Sequence, residues 1–89
     1  LDSLNYLIKL VRERKEKPIE GSYTNKLLND KSLSKTKVLE EINELIESVE
    51  KDTNKIHESA DVLYHLIVYL EANGIKIEDV MDELKKRRK

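Results

Sequence analysis

Only three residues in this 89-residue chain, Pro18, Gly21 and Gly74, are strong helix breakers. That scarcity constrains the fold more than any other feature. Glycine raises the entropic cost of ordering the backbone and proline removes a donor, so chain lacking both can run intrahelical hydrogen bonds uninterrupted. The breakers fall in two places, near residue 20 and near residue 74, and the chain between Gly21 and Gly74 contains neither residue type. No low-complexity linker or internal repeat divides it. The expectation is an all-α fold of about five helices, in a single domain spanning residues 1–89.

The apolar spacing fills in the helices. Leu4, Leu7, Ile8 and Val11 recur at helical intervals and predict a first helix over about residues 2–15, ended by Pro18 and Gly21. Ser22 is a candidate N-cap for a short second helix carrying Tyr23, Leu27 and Leu28. Ser34 is the expected cap of a third helix running to about Asp52, and Thr53 or Asn54 of a fourth that stops near Gly74. Ile77, Val80, Met81 and Leu84 predict a fifth, with Glu78 and Asp79 favourably placed in its first turn.

The third and fourth helices carry the chemistry. At about 100° per residue, Val38, Ile42, Leu45 and Val49 form one apolar stripe that Leu39 and Ile46 widen. Glu41 and Glu44 border that stripe, while Glu40 and Glu47 point further away. The fourth helix is apolar over most of its circumference, and such helices are buried. Glu58, Asp61 and His65 share its one polar stripe. A short turn near residues 52–54 makes the pair an antiparallel hairpin, with Glu44 expected level with Asp61 and Glu41 about a turn away.

Each helix thus offers carboxylates at i and i+3, on one face. Packed helices lie about 8–10 Å apart, so Glu41, Glu44, Glu58 and Asp61 can reach one point from both sides. Asp61 sits in an apolar run, where solvent is expected to be excluded. Carboxylates gathered away from water repel and lose solvation, which a cation or a bound proton must offset. An all-oxygen site suits Mg²⁺ or Mn²⁺, and Mg²⁺ keeps open positions for water and a substrate phosphate. The competing reading is a solvated acidic face paired with Lys37 and Lys51.

Composition narrows the partners. There is no cysteine, hence no disulfide or thiolate site. Seventeen basic residues balance eighteen acidic ones, which argues against a dedicated nucleic-acid binder. No apolar run approaches the roughly 20 residues that span a bilayer, and no signal peptide is visible, so a cytoplasmic protein without a membrane partner is expected. The basic run Lys85 to Lys89 reads as a solvated helix end at the negative pole of the helix dipole, with attraction of an anionic ligand as the alternative. The fourth helix is too apolar for one five-helix chain to cover, which points to a homodimer.

The residues also match a known pattern. Glu40-Glu41-x-x-Glu44 followed by Glu58-x-x-Asp61 resembles the signature of the all-α nucleoside triphosphate pyrophosphohydrolases, the MazG-like superfamily. More narrowly, Arg14, Pro18 and Ser22-Tyr23-Thr24, then Lys37-Val38-x-Glu40-Glu41, then Glu58 through Tyr64-His65 resemble phosphoribosyl-ATP pyrophosphatases of histidine biosynthesis. Two departures stand out: Leu39 precedes the paired glutamates where that family usually has glycine, and Asp30 lies where its loop usually has glycine.

The resemblance implies an intertwined helical dimer that hydrolyses phosphoribosyl-ATP to phosphoribosyl-AMP and pyrophosphate. Glu41, Glu44, Glu58 and Asp61 would be metal ligands. Glu40, Glu41 and Glu44 would be the catalytic carboxylates, Glu40 in an auxiliary role at a second ion or the attacking water. Arg14, Ser22, Tyr23, Thr24 and Lys37 would contact the nucleotide or its phosphates. Two alternatives remain open: a relative acting on other nucleoside triphosphates, and a non-catalytic helical dimerisation module.

Overall fold

A computed structural model describes residues 1–88. Five helices follow in order: α1 (Asp2–Glu16), α2 (Tyr23–Asn29), α3 (Lys31–Lys51), α4 (Lys55–Ala72) and α5 (Ile77–Lys86). The tail expectation for Lys85 to Lys89 is met in part: α5 ends at Lys86, and Lys89 lies outside the described residues.

The helix ends follow from local chemistry. Ser22 caps α2, its side chain accepting from the Asn25 amide at 3.2 Å. The α3 cap differs from expectation. Asp30, not Ser34, accepts from the Leu33 amide at 3.0 Å. Nothing between residues 31 and 34 interrupts the helix, so the earlier cap wins, and Ser34 is instead buried inside α3. Asp30 has φ −136°, so the glycine usual at this loop is not required here. At the end of α4, Gly74 takes φ +72°; its amide bonds Glu71 O, and the Ile75 amide bonds Leu70 O at 2.9 Å. This double closure is why glycine follows the helix.

The same closure ends α3 without a glycine. The Asp52 amide bonds Val49 O, and the Thr53 amide bonds Ser48 O at 2.9 Å, with Asp52 in the left-handed region at φ 55°. Asn54, at φ 35°, starts α4 without a side-chain cap bond. Two left-handed residues reverse the chain in three positions and clamp α3 against α4, the most extensive helix contact in the structure.

The core is small. Ile8 and Val11 of α1, Leu27 of α2, and Ile67 and Val68 of α4 are buried together, with Leu4, Leu7, Leu28, Leu33, Tyr64 and Ile77 packed around them. The apolar stripe of α3 behaves differently from expectation. The buried residues of α3 are Ser34 and Ser48, whereas Leu39, Ile42, Ile46 and Val49 are exposed. Val38 and Leu45 of the stripe are half-buried, while its other members turn outward. On α4, Ile56, Leu63 and Leu66 are likewise exposed. No described helix is long and apolar enough to cross a membrane.

α5 buries no residue of its own. It is tied down by Arg12 of α1, whose guanidinium donates to Glu71 (Nε to Oε1, 2.9 Å) and, through its terminal nitrogens, to both carboxylate oxygens of Glu78. Lys15 adds a bond to the Glu71 carbonyl at 2.8 Å. This three-helix clasp was not visible in the sequence, because its members lie 59 and 66 positions apart.

Candidate metal centre

The hairpin brings Glu41 and Glu44 of α3 to Glu58 of α4, with a ligand oxygen of each within 4.8 Å of the others. Glu44 groups with Glu58, where the sequence leads one to expect Asp61 level with it. The turn between the helices spans residues 52–54, with Asp52 and Asn54 left-handed. Asp61 belongs to an overlapping group with Glu58 and His57, also within 4.8 Å.

The electrostatics are those of crowded carboxylates, opposed only in part by His65 at Glu41 and His57 at Glu58. Glu41 Oε2 and Glu58 Oε2 are buried and have no hydrogen-bond partner. Burial pushes the Glu41 carboxyl above the usual carboxylate range, and the neighbouring Glu44 and Asp61 charges push it further. Burial also raises Glu58, with Glu44 and Asp61 adding to it. The nearby lysines do not relieve this: Lys37 pairs with Glu40 at 3.4 Å and Lys51 with Glu47 at 2.6 Å. Among the described residues, Glu41, Glu44 and Glu58 form no ion pair. An open cleft of about 200 Å³ at the end of the hairpin, lined by Glu44, Glu58, Ser48 and Thr53, leads to them.

Asp61 corrects an expectation. Its side chain is 36% exposed and meets His57 Nε2 at 3.3 Å, so solvent is not excluded from it. The apolar residues beside it on α4, such as Leu63, are themselves uncovered in the single chain. Burial makes Glu41 and Glu58 the strained members, not Asp61. Glu40 is exposed and held by Lys37, outside the three-carboxylate group.

The donor set fits a hard divalent cation. Three to four carboxylates, two with orphan oxygens, supply only oxygen ligands, as Mg²⁺ or Mn²⁺ requires.

Ser22, Tyr23 and Thr24, three of the candidate nucleotide-contacting residues of the sequence, lie in the segment after Pro18. The three adjacent hydroxyls have different roles. Ser22 caps α2 and is half-buried. Thr24 is buried, its Oγ1 2.5 Å from Tyr64 Oη. Tyr23 is 44% exposed, and its hydroxyl lies 3.0 Å from His65 Nε2. Burial raises the Tyr23 hydroxyl pKa, opposed by the nearby Lys37 ammonium. His65 is buried with both ring nitrogens bonded, its Nδ1 2.8 Å from the Asp61 carbonyl. One residue here escaped sequence reasoning. Asn25, buried, accepts from the Ile19 amide at 2.9 Å and donates to Arg14 O at 2.8 Å, pinning the loop to α1. Its partners are backbone groups, which leave no trace in a side-chain pattern. Arg14 buries its Nε without a partner.

The chain resembles known proteins over nearly its whole length. A sequence profile described as phosphoribosyl-ATP pyrophosphohydrolase matches residues 4–88. The chain is 46% identical to the phosphoribosyl-ATP pyrophosphatase of Clostridium acetobutylicum, over 94% of this chain and 79% of that protein. It is 42% identical to the protein of the same name from Methanococcoides burtonii, over 96% and 91% of the two chains. The histidine biosynthesis bifunctional protein HisIE of Pyrococcus furiosus is 43% identical over the whole of this chain, which spans 43% of that longer relative. A match across nearly the full chain, at such identity, places the chain in the phosphoribosyl-ATP pyrophosphohydrolase family.

Proposed function

We propose that the chain hydrolyses phosphoribosyl-ATP to phosphoribosyl-AMP and pyrophosphate, as a cytoplasmic, Mg²⁺-dependent homodimer serving histidine biosynthesis. The observation that carries the reading is the pair of buried, unpartnered carboxylate oxygens on Glu41 and Glu58 beside Glu44. Isolated chains do not keep such groups without return, because a buried polar atom without a partner costs about 1–3 kcal/mol.

Glu41, Glu44, Glu58 and Asp61 would hold the ion. When bound, Mg²⁺ neutralises the polyphosphate and lowers the pKa of coordinated water. The remaining work falls to the protein. Water attacks a phosphorus of the anhydride, the bridging P–O bond breaks, and pyrophosphate leaves. A carboxylate at the rim of the group takes the water's proton. Glu40, beside Glu41 in the chain and paired with Lys37 at 3.4 Å, is the candidate. Lys37 and Arg14 supply cationic donors to phosphate oxygens.

The dimer is supported by the exposed stripes. Leu39, Ile42, Ile46 and Val49 alternate by three and four residues, and Ile56, Leu63 and Leu66 repeat by seven and three. Such spacing is that of helices packing in a bundle. A second hairpin laid on the first would bury both stripes and complete four helices.

The test is substrate comparison. Purified protein should release pyrophosphate from phosphoribosyl-ATP with Mg²⁺ and lose that activity in chelator. Hydrolysis of common nucleoside triphosphates with phosphoribosyl-ATP spared would contradict the proposal.

A further inference from the structure

His65 sits where its hydrogen bonds decide what Tyr23 can do. The Asp61 carbonyl only accepts, so the proton between it and His65 lies on Nδ1, at 2.8 Å. In the neutral ring the other nitrogen, Nε2, is then an acceptor. Tyr23 Oη, 3.0 Å away, must donate to it. The Tyr23 hydroxyl has one proton, and that proton is taken. Only lone pairs remain on the exposed side of the oxygen.

The surroundings hold this arrangement. Tyr64 packs edge-on against His65 at 5.0 Å and is stacked with Tyr23 at 6.3 Å between ring centres. Its own hydroxyl is fixed by buried Thr24. His65 is 7% exposed and Tyr23 44% exposed, so the histidine touches no ligand while the tyrosine can. Tyr23 also lines an open cleft of about 610 Å³ running from Pro18 to Asn29, apart from the cleft that leads to Glu44 and Glu58.

We propose that His65 is a positioning residue that makes the Tyr23 hydroxyl an obligate acceptor, so that Tyr23 takes a hydroxyl or amine donor of the nucleotide's sugar or base and not a phosphate oxygen. Phosphate oxygens at neutral pH only accept, and two acceptors facing each other repel. This rests on the nucleotide-hydrolase reading above, and it narrows which part of the substrate lies at Tyr23. Because the Asp61 carbonyl anchors His65, the nucleoside contact is also tied to the helix that carries two of the metal-site carboxylates.

The inference is tested by NMR on ¹⁵N-histidine- and ring-labelled tyrosine protein in Mg²⁺ buffer. His65 should be the Nδ1–H tautomer, and Tyr23→Phe should shift its Nε2 signal. Adenosine, which lacks phosphate, should perturb the Tyr23 ring, and inorganic pyrophosphate should not. An Nε2–H tautomer, a doubly protonated ring, a Tyr23 response to pyrophosphate, or no response to adenosine would each overturn the proposal. These readouts need no turnover, so failure of wild-type protein to cleave phosphoribosyl-ATP would refute the proposed function separately. In an active enzyme, Tyr23→Phe and His65→Leu should each raise KM by about tenfold, the worth of one hydrogen bond, with a smaller loss in kcat. The double variant should be no worse than either single one. His65→Gln, whose amide oxygen can accept the Tyr23 proton, should recover most of the loss. Additive losses would show that His65 does not act through Tyr23.

Discussion

Glu41 on one arm of the helical hairpin and Glu58 on the other each bury a carboxylate oxygen that no donor reaches, with Glu44 between them. Burying one oxygen of each of two half-buried carboxylates works against folding unless a cation or a bound proton offsets it.

It follows that removing one charge should stabilise the metal-free protein. Glu41→Gln keeps the shape and deletes a repelling carboxylate whose pKa burial has already raised. Its Tm in chelator should rise by about 4–8 °C, as expected when a relief on the order of 1 kcal/mol acts on a small domain. Mg²⁺ should raise the wild-type Tm and leave the variant nearly unchanged. Thermal denaturation of both proteins, with Mg²⁺ and with chelator, checks this.

The uncovered apolar stripes predict a dimer that charge will split. Ile46 and Leu63 are each 51% exposed in the single chain. Burying such a side chain is worth about 1.5–3 kcal/mol. Ile46→Glu or Leu63→Glu should therefore weaken association by at least about tenfold. Analytical ultracentrifugation should find wild type as a dimer at micromolar concentration and the variants shifted to single chains. A wild-type protein that sediments as a single chain would remove the dimer from the account.

The α5 clasp should show as acid sensitivity. Arg12 beside Glu78 holds that carboxyl down at about 2, against an ordinary 4.5. A depressed folded-state pKa means that the folded protein binds fewer protons than the unfolded chain. The clasp's contribution is therefore complete above about pH 4.5 and is lost as pH falls toward 2. Glu78→Gln should be less stable than wild type at neutral pH, and the gap should close across that window. Tm measured as a function of pH for both proteins decides it.

The hairpin turn offers a gain. Asp52 adopts φ 55° in a closure that glycine fits without strain. Asp52→Gly should stabilise by up to about 1 kcal/mol, less whatever its contact with Lys55 contributes. Chemical denaturation should show a higher midpoint with an unchanged slope.

How much of this was legible in the sequence depends on which interaction sets each feature. Pro18, Gly21 and Gly74 marked helix limits because their backbone preferences are local. Asp30 outcompeted Ser34 as a cap because both were acceptable locally and only the start of α3 chose between them. Facing partners were harder. Val38, Ile42, Leu45 and Val49 share one stripe, yet Ile42 and Val49 are exposed and only Val38 and Leu45 are half-buried, since helix periodicity defines a face and not what covers it. Asp61 looked desolvated because its neighbours are apolar, but apolar neighbours exclude water only when something packs on them. The left-handed backbone of Asp52 and Asn54 was not legible either, since no spacing rule contains it.

The most direct test of the central claim is pyrophosphate release from phosphoribosyl-ATP by wild type, Glu44→Ala and Asp61→Ala, each with and without Mg²⁺. The account predicts Mg²⁺-dependent release by wild type and a loss of at least roughly a hundredfold in both variants, with helical content retained by circular dichroism. Full activity in both variants, or release by wild type that is indifferent to Mg²⁺, would contradict it.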